Sequence, residues 1–303
     1  MRWSRAVTTG VALAAMVLPA QSLARAPRAT RLHVPQVPAP RAAALPAAWW
    51  QPGAVGSWQW QLTWPVDTTK AVQVYDIDYD GAGTGTPAQT AAIVSTLHAQ
   101  GKRAICYLET GSWESYRPDA GDYAPSILGK TLAGFADERY VDIRQLDGAR
   151  GPTGKTLHQI LVGRFQKCKN AGFDGVETDL DDTYLEGSGA TGFPLTKQHQ
   201  ETFNTALAAD MHGLGLAWFL KNGVASDGFT ADMAAVADGT VNEQCWQFGE
   251  CSALKAFVTA GKPILNAEYS GTRAAVCPKA MAFPMATMRK RTSLNAAVVW
   301  QCF

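Results

Sequence analysis

The stretch TLHQILVGRFQKCKNAGFDGVETDLDD, residues 156 to 182, sets the reading of the fold. Residues 156–171 read as an amphipathic helix, Gly172 supplies the C-cap chemistry that ends it, and FDGVETD (173–179) reads as a strand. Five carboxylates (Asp174, Glu177, Asp179, Asp181 and Asp182) fall in its last eleven positions, although the chain is balanced at 27 Lys and Arg against 26 Asp and Glu. A helix that stops at glycine, re-enters a strand and ends on acidic residues is one unit of an alternating α/β chain.

The unit recurs. Strands are expected at 57–63, 71–78, 103–109, 173–179, 215–222, 239–245, 263–269 and 296–302. Helices are expected at 87–100, 156–171, 197–212, 230–237, 252–260 and 274–291, and Gly101 and Gly261 repeat the cap of Gly172. Eight strands alternating with helices, and no GxGxxG after the first, favour a single-domain α/β (β/α)₈ TIM barrel over a doubly wound sheet. The first two strands lie too close for a helix between them. The Gly-, Pro- and Tyr-rich segment 110–154 reads as an active-site lid or wall.

Active groups of such barrels sit where strands end and βα loops open. Polar and aromatic residues collect there: Trp58, Trp60, Asp76, Asp78, Tyr107, Glu109, Glu177, Asp179, Lys221, Asn222, Glu243, Glu268 and Gln301. Carboxylates, amides and aromatics together suit a sugar-binding lining. Period two puts Glu177 and Asp179 on one strand face and Asp174 off it. Glu243 ends the sixth strand and can reach across the barrel mouth toward Asp179. Asp181 and Asp182, beyond the strand, are expected in a solvated loop. Paired carboxyl groups facing across a sugar ring are the acid/base equipment of glycoside hydrolysis.

Other chemistries fit less well. Asp76-x-Asp78-x-Asp80-Gly81 begins like a calcium loop, but Pro87 stands where the closing Glu is required. The five His are scattered and no CxxC exists, which disfavours zinc and a metal-dependent deacetylase. There is no GxSxG elbow, and GAGTG (81–85) lacks the Lys of a P-loop. No metal and no cofactor are expected. The net charge of +1 carries no electrostatic footprint for nucleic acid.

The N-terminus reads as an export signal over 1–26, with basic MRWSR, apolar 11–19 and small residues around 20–26, followed by a Pro/Ala/Arg-rich tether over 27–46 and the catalytic domain over 47–303. The apolar run is too short to span a bilayer, so the mature chain is expected without a membrane span, secreted or periplasmic, and monomeric. Six cysteines suit an oxidising compartment. Cys245 and Cys251 can staple one loop, Cys277 and Cys302 can tie down the C-terminus, and Cys106 and Cys168 remain as the third pair.

WQWQL (58–62), VYDIDYDG (74–81), ICYLETGSWESYRPD (105–119), VDIR (141–144), GFDGVETDLDDTY (172–184), GLAWFLKN (215–222) and NEQC…EC (242–251) occur in order. Together they resemble glycoside hydrolase family 114, the endo-α-1,4-polygalactosaminidases, over roughly residues 48 to 303. The resemblance implies a (β/α)₈ barrel that cleaves internal α-1,4 bonds of a galactosamine-containing polysaccharide. It implies Asp179 as nucleophile and Glu243 as general acid/base of a retaining mechanism, with Glu177 as the competing nucleophile. Thr178 and Leu180 stand where the family commonly carries Pro and Asn. Asp76, Asp78, Glu109 and Glu268 would suit a cationic polymer bearing free ammonium groups. Two alternatives stand beside this reading. One is a non-catalytic carbohydrate-binding barrel. The other is a chitinase-like hydrolase using the 174–181 acidic motif, with Asp181 in the place of that motif's Glu.

Overall fold

A computed structural model describes residues 48–303; the expected export signal and the whole of the tether lie outside them. In chain order, β1 (Trp58–Gln61), β2 (Val74–Asp78), helix α1 (Pro87–Ala99) and β3 (Arg103–Glu109) begin the barrel. A separate three-stranded antiparallel sheet follows, formed by β4 (Ser112–Glu114), β5 (Leu128–Leu132) and β6 (Phe135–Val141). The barrel resumes with α2 (Leu157–Ala171), β7 (Gly175–Asp179), α3 (Gly187–Thr191), α4 (Lys197–Gly213), β8 (Ala217–Lys221), α5 (Phe229–Val236) and β9 (Gly239–Glu243). It ends with α6 (Cys245–Phe248), α7 (Lys255–Thr259), β10 (Ile264–Glu268), α8 (Arg273–Ala282), β11 (Ala286–Arg289) and β12 (Trp300–Gln301). Eight strands run parallel in the order β1-β2-β3-β7-β8-β9-β10-β11, and β12 adds antiparallel to β11. Side chains draw the two ends of the sheet together. Trp58 Nε1 donates to Ala286 O at 2.8 Å, and Lys290 Nζ donates to Gln59 Oε1 at 2.9 Å.

Local chemistry sets the helix ends. Thr86, Thr156 and Thr196 cap α1, α2 and α4 in reciprocal capping boxes closed by Gln89, Gln159 and His199. Gly172 ends α2 at φ 94°, a left-handed conformation that an L side chain disfavours. Strand alternation then sorts residues to two cores. Trp58, Val74, Ile105, Phe219, Val241, Leu265 and Met288 fill the barrel interior, whereas Tyr75, Ile77, Leu108, Val176 and Leu220 pack outward in the helical layer.

Two expectations change. The eighth parallel strand is β11, inside the segment read as helix 274–291, because Pro284 follows the end of α8 and only four residues of strand come after it. The run 296–302 contributes only the antiparallel β12. The segment 110–154, expected as a lid or wall, does form one wall of the barrel mouth, and it is built on β4 to β6. All three disulfides pair as expected: Cys106–Cys168, Cys245–Cys251 and Cys277–Cys302. Cys106–Cys168 joins β3 to α2 across 62 residues of sequence, and in the chain-entropy account such a closure contributes about 4 kcal/mol. No helix among the described residues is long and apolar enough to cross a membrane.

Candidate active site

After β7, β8 and β9 the chain turns at a non-glycine residue in left-handed conformation: Leu180 (φ 56°), Asn222 (φ 51°) and Gln244 (φ 61°). Such backbone costs free energy and persists only where its surroundings enforce it. For Leu180 the enforcement is visible, because a Cβ on Gly111 would lie 1.9 Å from the Leu180 carbonyl oxygen. The turn swings the Leu180 N–H onto Asp179 Oδ1 at 2.9 Å. Asn222 Oδ1 likewise accepts the Glu243 N–H at 2.8 Å. The strained turns aim the two carboxylates into the mouth.

Lys221, at the end of β8, occupies the centre. Its Nζ lies 3.0 Å from Asp179, 3.2 Å from Glu177 and 3.4 Å from Glu243, while its side chain is only 2% exposed. Burial opposes its charge, but the three surrounding carboxylates outweigh burial and push its pKa well above the ordinary lysine value. The ammonium also sits over the faces of Trp60 and Tyr107, at 4.7 and 5.6 Å from their ring centroids. Asp179 further accepts from the Tyr107 hydroxyl at 2.8 Å, and the Tyr269 hydroxyl donates to Glu243. Asp179 and Glu243 remain partly open, with side chains 19% and 24% exposed, whereas Glu177 is at 0%. The cleft they face has a volume of about 390 Å³ and is lined by Trp60, Asp78, Tyr107, Lys221 and Tyr269 besides the two carboxylates.

Other predicted residues lie at different depths. Asp76 is fully buried beneath the mouth, and burial together with the charge of Glu177 pushes it well above the usual carboxylate range. Glu109 is buried behind Tyr107, its carboxyl pushed up by burial and by the charge of Asp179. Asp78 lines the cleft but binds Arg117 through two nitrogens, at 3.0 and 2.7 Å. Burial works against the Asp78 charge, and Arg117 nevertheless holds its pKa below the ordinary value. Arg117 also binds Asp80, so this guanidinium takes two of the three carboxylates that looked like half a calcium loop.

Three predicted residues face elsewhere. Trp58 is interior filling below the mouth. Glu268 points to the outer layer, where Oε1 accepts the Trp246 N–H at 3.0 Å. Gln301 lies on β12, its carbonyl accepting from Arg273 at 3.1 Å, because the last segment runs antiparallel and ends away from the mouth. Asp181 and Asp182 are not a solvated loop. Asp181 is buried, bound to Thr178 Oγ1 at 2.8 Å and to the Lys221 N–H at 3.1 Å, and Asp182 accepts the Gly223 N–H at 3.0 Å. Thr178, which also accepts from Trp218 Nε1 at 2.7 Å, thereby anchors Asp181 outside the cleft and leaves a chitinase-type acid at that position without access to substrate.

The cleft also holds residues that sequence reasoning left out. Glu138 and Phe135 come from β6, Tyr116 from the turn after β4, and Leu62, Thr292 and Leu294 from the rim. Burial, with the charges of Glu114 and Asp179, pushes Glu138 up to about 7. Glycine at 134, which turns β5 into β6, was the available signal for a hairpin that presents Phe135 and Glu138.

The sequence pattern of the Glycoside-hydrolase family GH114 matches residues 39–302. No curated protein matches the chain. Among solved structures, that of Aspergillus fumigatus Ega3 in complex with galactosamine is similar at 28% identity and a TM-score of 0.70, covering 84% of this chain and 98% of that one. The glycoside hydrolase domain of PelA from Pseudomonas aeruginosa shares the fold at 16% identity and a TM-score of 0.54, covering 82% of this chain and 99% of that one.

Proposed function

The chain belongs to glycoside hydrolase family GH114, and from that premise we propose that it is an exported, endo-acting, retaining hydrolase of α-1,4-linked, galactosamine-containing polysaccharide. One observation carries the mechanism. Asp179 and Glu243 both touch the Lys221 ammonium, at 3.0 and 3.4 Å, so their nearest oxygens are at most about 6.4 Å apart, the sum of those contacts. That bound admits the ~5–5.5 Å carboxyl separation of retaining enzymes, in line with the retaining mechanism that the family resemblance implies. Asp179, receiving Lys221, Tyr107 and the Leu180 N–H, is the anion and attacks the anomeric carbon. Glu243 protonates the departing glycosidic oxygen and then takes a proton from the water that releases the glycosyl-enzyme. Glu177 sits under Lys221 without an opening to the cleft, so its part is to hold the ammonium.

The substrate class rests on the likeness to Ega3, whose structure holds galactosamine. Exposed Tyr116 and Phe135 flank the cleft as surfaces for sugar faces. Three disulfides and the basic-then-apolar start of the sequence support export to the periplasm or beyond. Incubation with de-N-acetylated galactosaminogalactan should release new reducing ends from the wild type. Asp179→Asn and Glu243→Gln should each lower kcat by about 10³-fold or more, since each removes a group that makes or breaks a bond. Survival of activity in Glu243→Gln would remove it from the acid/base role. Survival in Asp179→Asn would return the nucleophile to another carboxylate.

A further inference from the structure

Tyr107 carries one hydroxyl proton yet faces two carboxyl groups. Its oxygen lies 2.8 Å from Glu109 Oε1 and 2.8 Å from Asp179 Oδ2. A phenol donates one hydrogen bond, so the second contact needs a proton that belongs to a carboxyl group. The surroundings decide which one. Asp179 accepts from the Leu180 N–H at 2.9 Å and lies 3.0 Å from the Lys221 ammonium. Among the described residues the Glu109 carboxyl has only hydroxyl hydrogen-bond partners, Tyr107 and Ser112, the latter at 3.2 Å. It faces the carboxyl groups of Glu114 and Glu138 as well as Asp179. The nearby Arg164 binds the Glu109 backbone carbonyl at 3.0 Å, gives its other nitrogens to Asp119, and has Glu114 3.5 Å from Nη1.

We propose that Glu109 is a neutral carboxylic acid and a positioning residue: its Oε1–H donates to the Tyr107 oxygen, which commits the Tyr107 hydroxyl to Asp179 Oδ2. The proposal rests on Asp179 being the nucleophile. Burial and the charges of Asp179, Glu114 and Glu138 push the Glu109 carboxyl well above the ordinary range, against the weaker pull of the Tyr107 hydroxyl. An ionised Glu109 would compete for the single Tyr107 proton and turn the hydroxyl away from the attacking oxygen. Glu109 is absent from the cleft lining, so its loss falls on kcat and not on substrate binding. It is therefore not a counter-ion for a substrate ammonium.

The test compares wild type, Glu109→Gln and Glu109→Leu on de-N-acetylated galactosaminogalactan, with infrared difference spectra of wild type against Glu109→Gln at pH 7. The glutamine amide can still donate to the Tyr107 oxygen and should keep kcat within about five-fold of wild type. Leucine cannot donate and should lower kcat about 10- to 100-fold at nearly constant KM, the loss expected for a hydrogen bond to a charged group. The difference spectrum should show a protonated-carboxyl band that the glutamine variant lacks. Glu109→Gln falling as far as Glu109→Leu, or no such band, overturns the proposal. If the wild type releases no reducing ends, the substrate reading fails instead, and the infrared band alone decides the state of Glu109. The glutamine comparison and the spectrum also stand if the leucine variant does not fold.

Discussion

Replacing Lys221 with Met separates the cation from the three carboxylates it holds. The side chain is 2% exposed and lies 3.0 to 3.4 Å from Asp179, Glu177 and Glu243, so its removal leaves like charges facing one another in a poorly solvated mouth. Removing one partner of a buried ion pair costs about 3–5 kcal/mol, and the methionine stem keeps the packing on Trp60 and Tyr107. The cost should depend on pH in a defined direction. Burial already raises Glu177, and Lys221 is what holds it back, so in the variant the folded-state pKa of Glu177 rises further. An acid whose folded pKa is raised binds its proton more tightly in the native state. The variant therefore loses stability as pH climbs from the unfolded value of about 4.3 toward the folded one. The wild-type lysine, whose pKa is itself raised, stays charged throughout that window. The gap between wild type and Lys221→Met, read from urea midpoints with disulfides intact, should be smaller at pH 5 than at pH 8. A gap below about 1 kcal/mol, or one equal at both pH values, would refute the idea that Lys221 neutralises this cluster.

Arg117 poses the same question on the cleft wall. Arg117→Leu leaves Asp78 and Asp80 without their cation, leaves Glu114 only Arg164 at 3.5 Å, and should cost about 3–5 kcal/mol near neutral pH. Because Arg117 holds Asp78 below its ordinary pKa, that contribution is present above the unfolded value of about 3.9 and is lost as pH falls through the folded one. Urea midpoints of the two proteins should converge in acid, and a constant separation would argue against the pairing. Glu138 lies in the cleft with a pKa of about 7, so wild-type KM for a polymer with free amines should rise as pH falls through that value. Glu138→Gln should lose that dependence; an identical KM–pH curve in the variant would remove Glu138 from substrate recognition.

Much of the site is legible in sequence because two regularities coincide. Side chains alternate along a strand, and a parallel barrel gathers all its strand ends at one mouth. Those rules alone bring Asp179, Glu243 and Lys221 together from positions up to 64 residues apart, and the structure shows them within 3.4 Å of one ammonium. What stayed illegible depends on contacts that strand position does not encode. The partner of Asp78 is Arg117, supplied by a loop 39 residues away. Asp181 is buried because Thr178 and the Lys221 N–H happen to meet it. The strand β11 has four residues behind a proline, too few for its alternation to stand out from the preceding helix.

Depth inside the barrel also changes the electrostatic reading of the mouth. Counting acidic residues at strand ends suggests a strongly anionic site, built from Asp76, Asp78, Glu109 and Glu268 around the catalytic pair. Burial, pairing or orientation removes all four from direct service to a substrate. Asp76 and Glu109 are buried and pushed toward their neutral forms, Asp78 is matched by Arg117, and Glu268 faces the outer layer. Of the anions that remain, Asp179 and Glu243 share Lys221, which leaves Glu138 as the carboxylate of the cleft wall with no cation bound to it among the described residues. An ammonium-bearing sugar would therefore be recognised at Glu138, on the inserted sheet, and the barrel strands would supply the chemistry. Recognition and catalysis would then sit on separate pieces of structure. Changes in the β4–β6 insertion could alter which amino sugar is accepted without disturbing the Asp179–Lys221–Glu243 geometry proposed to break the bond.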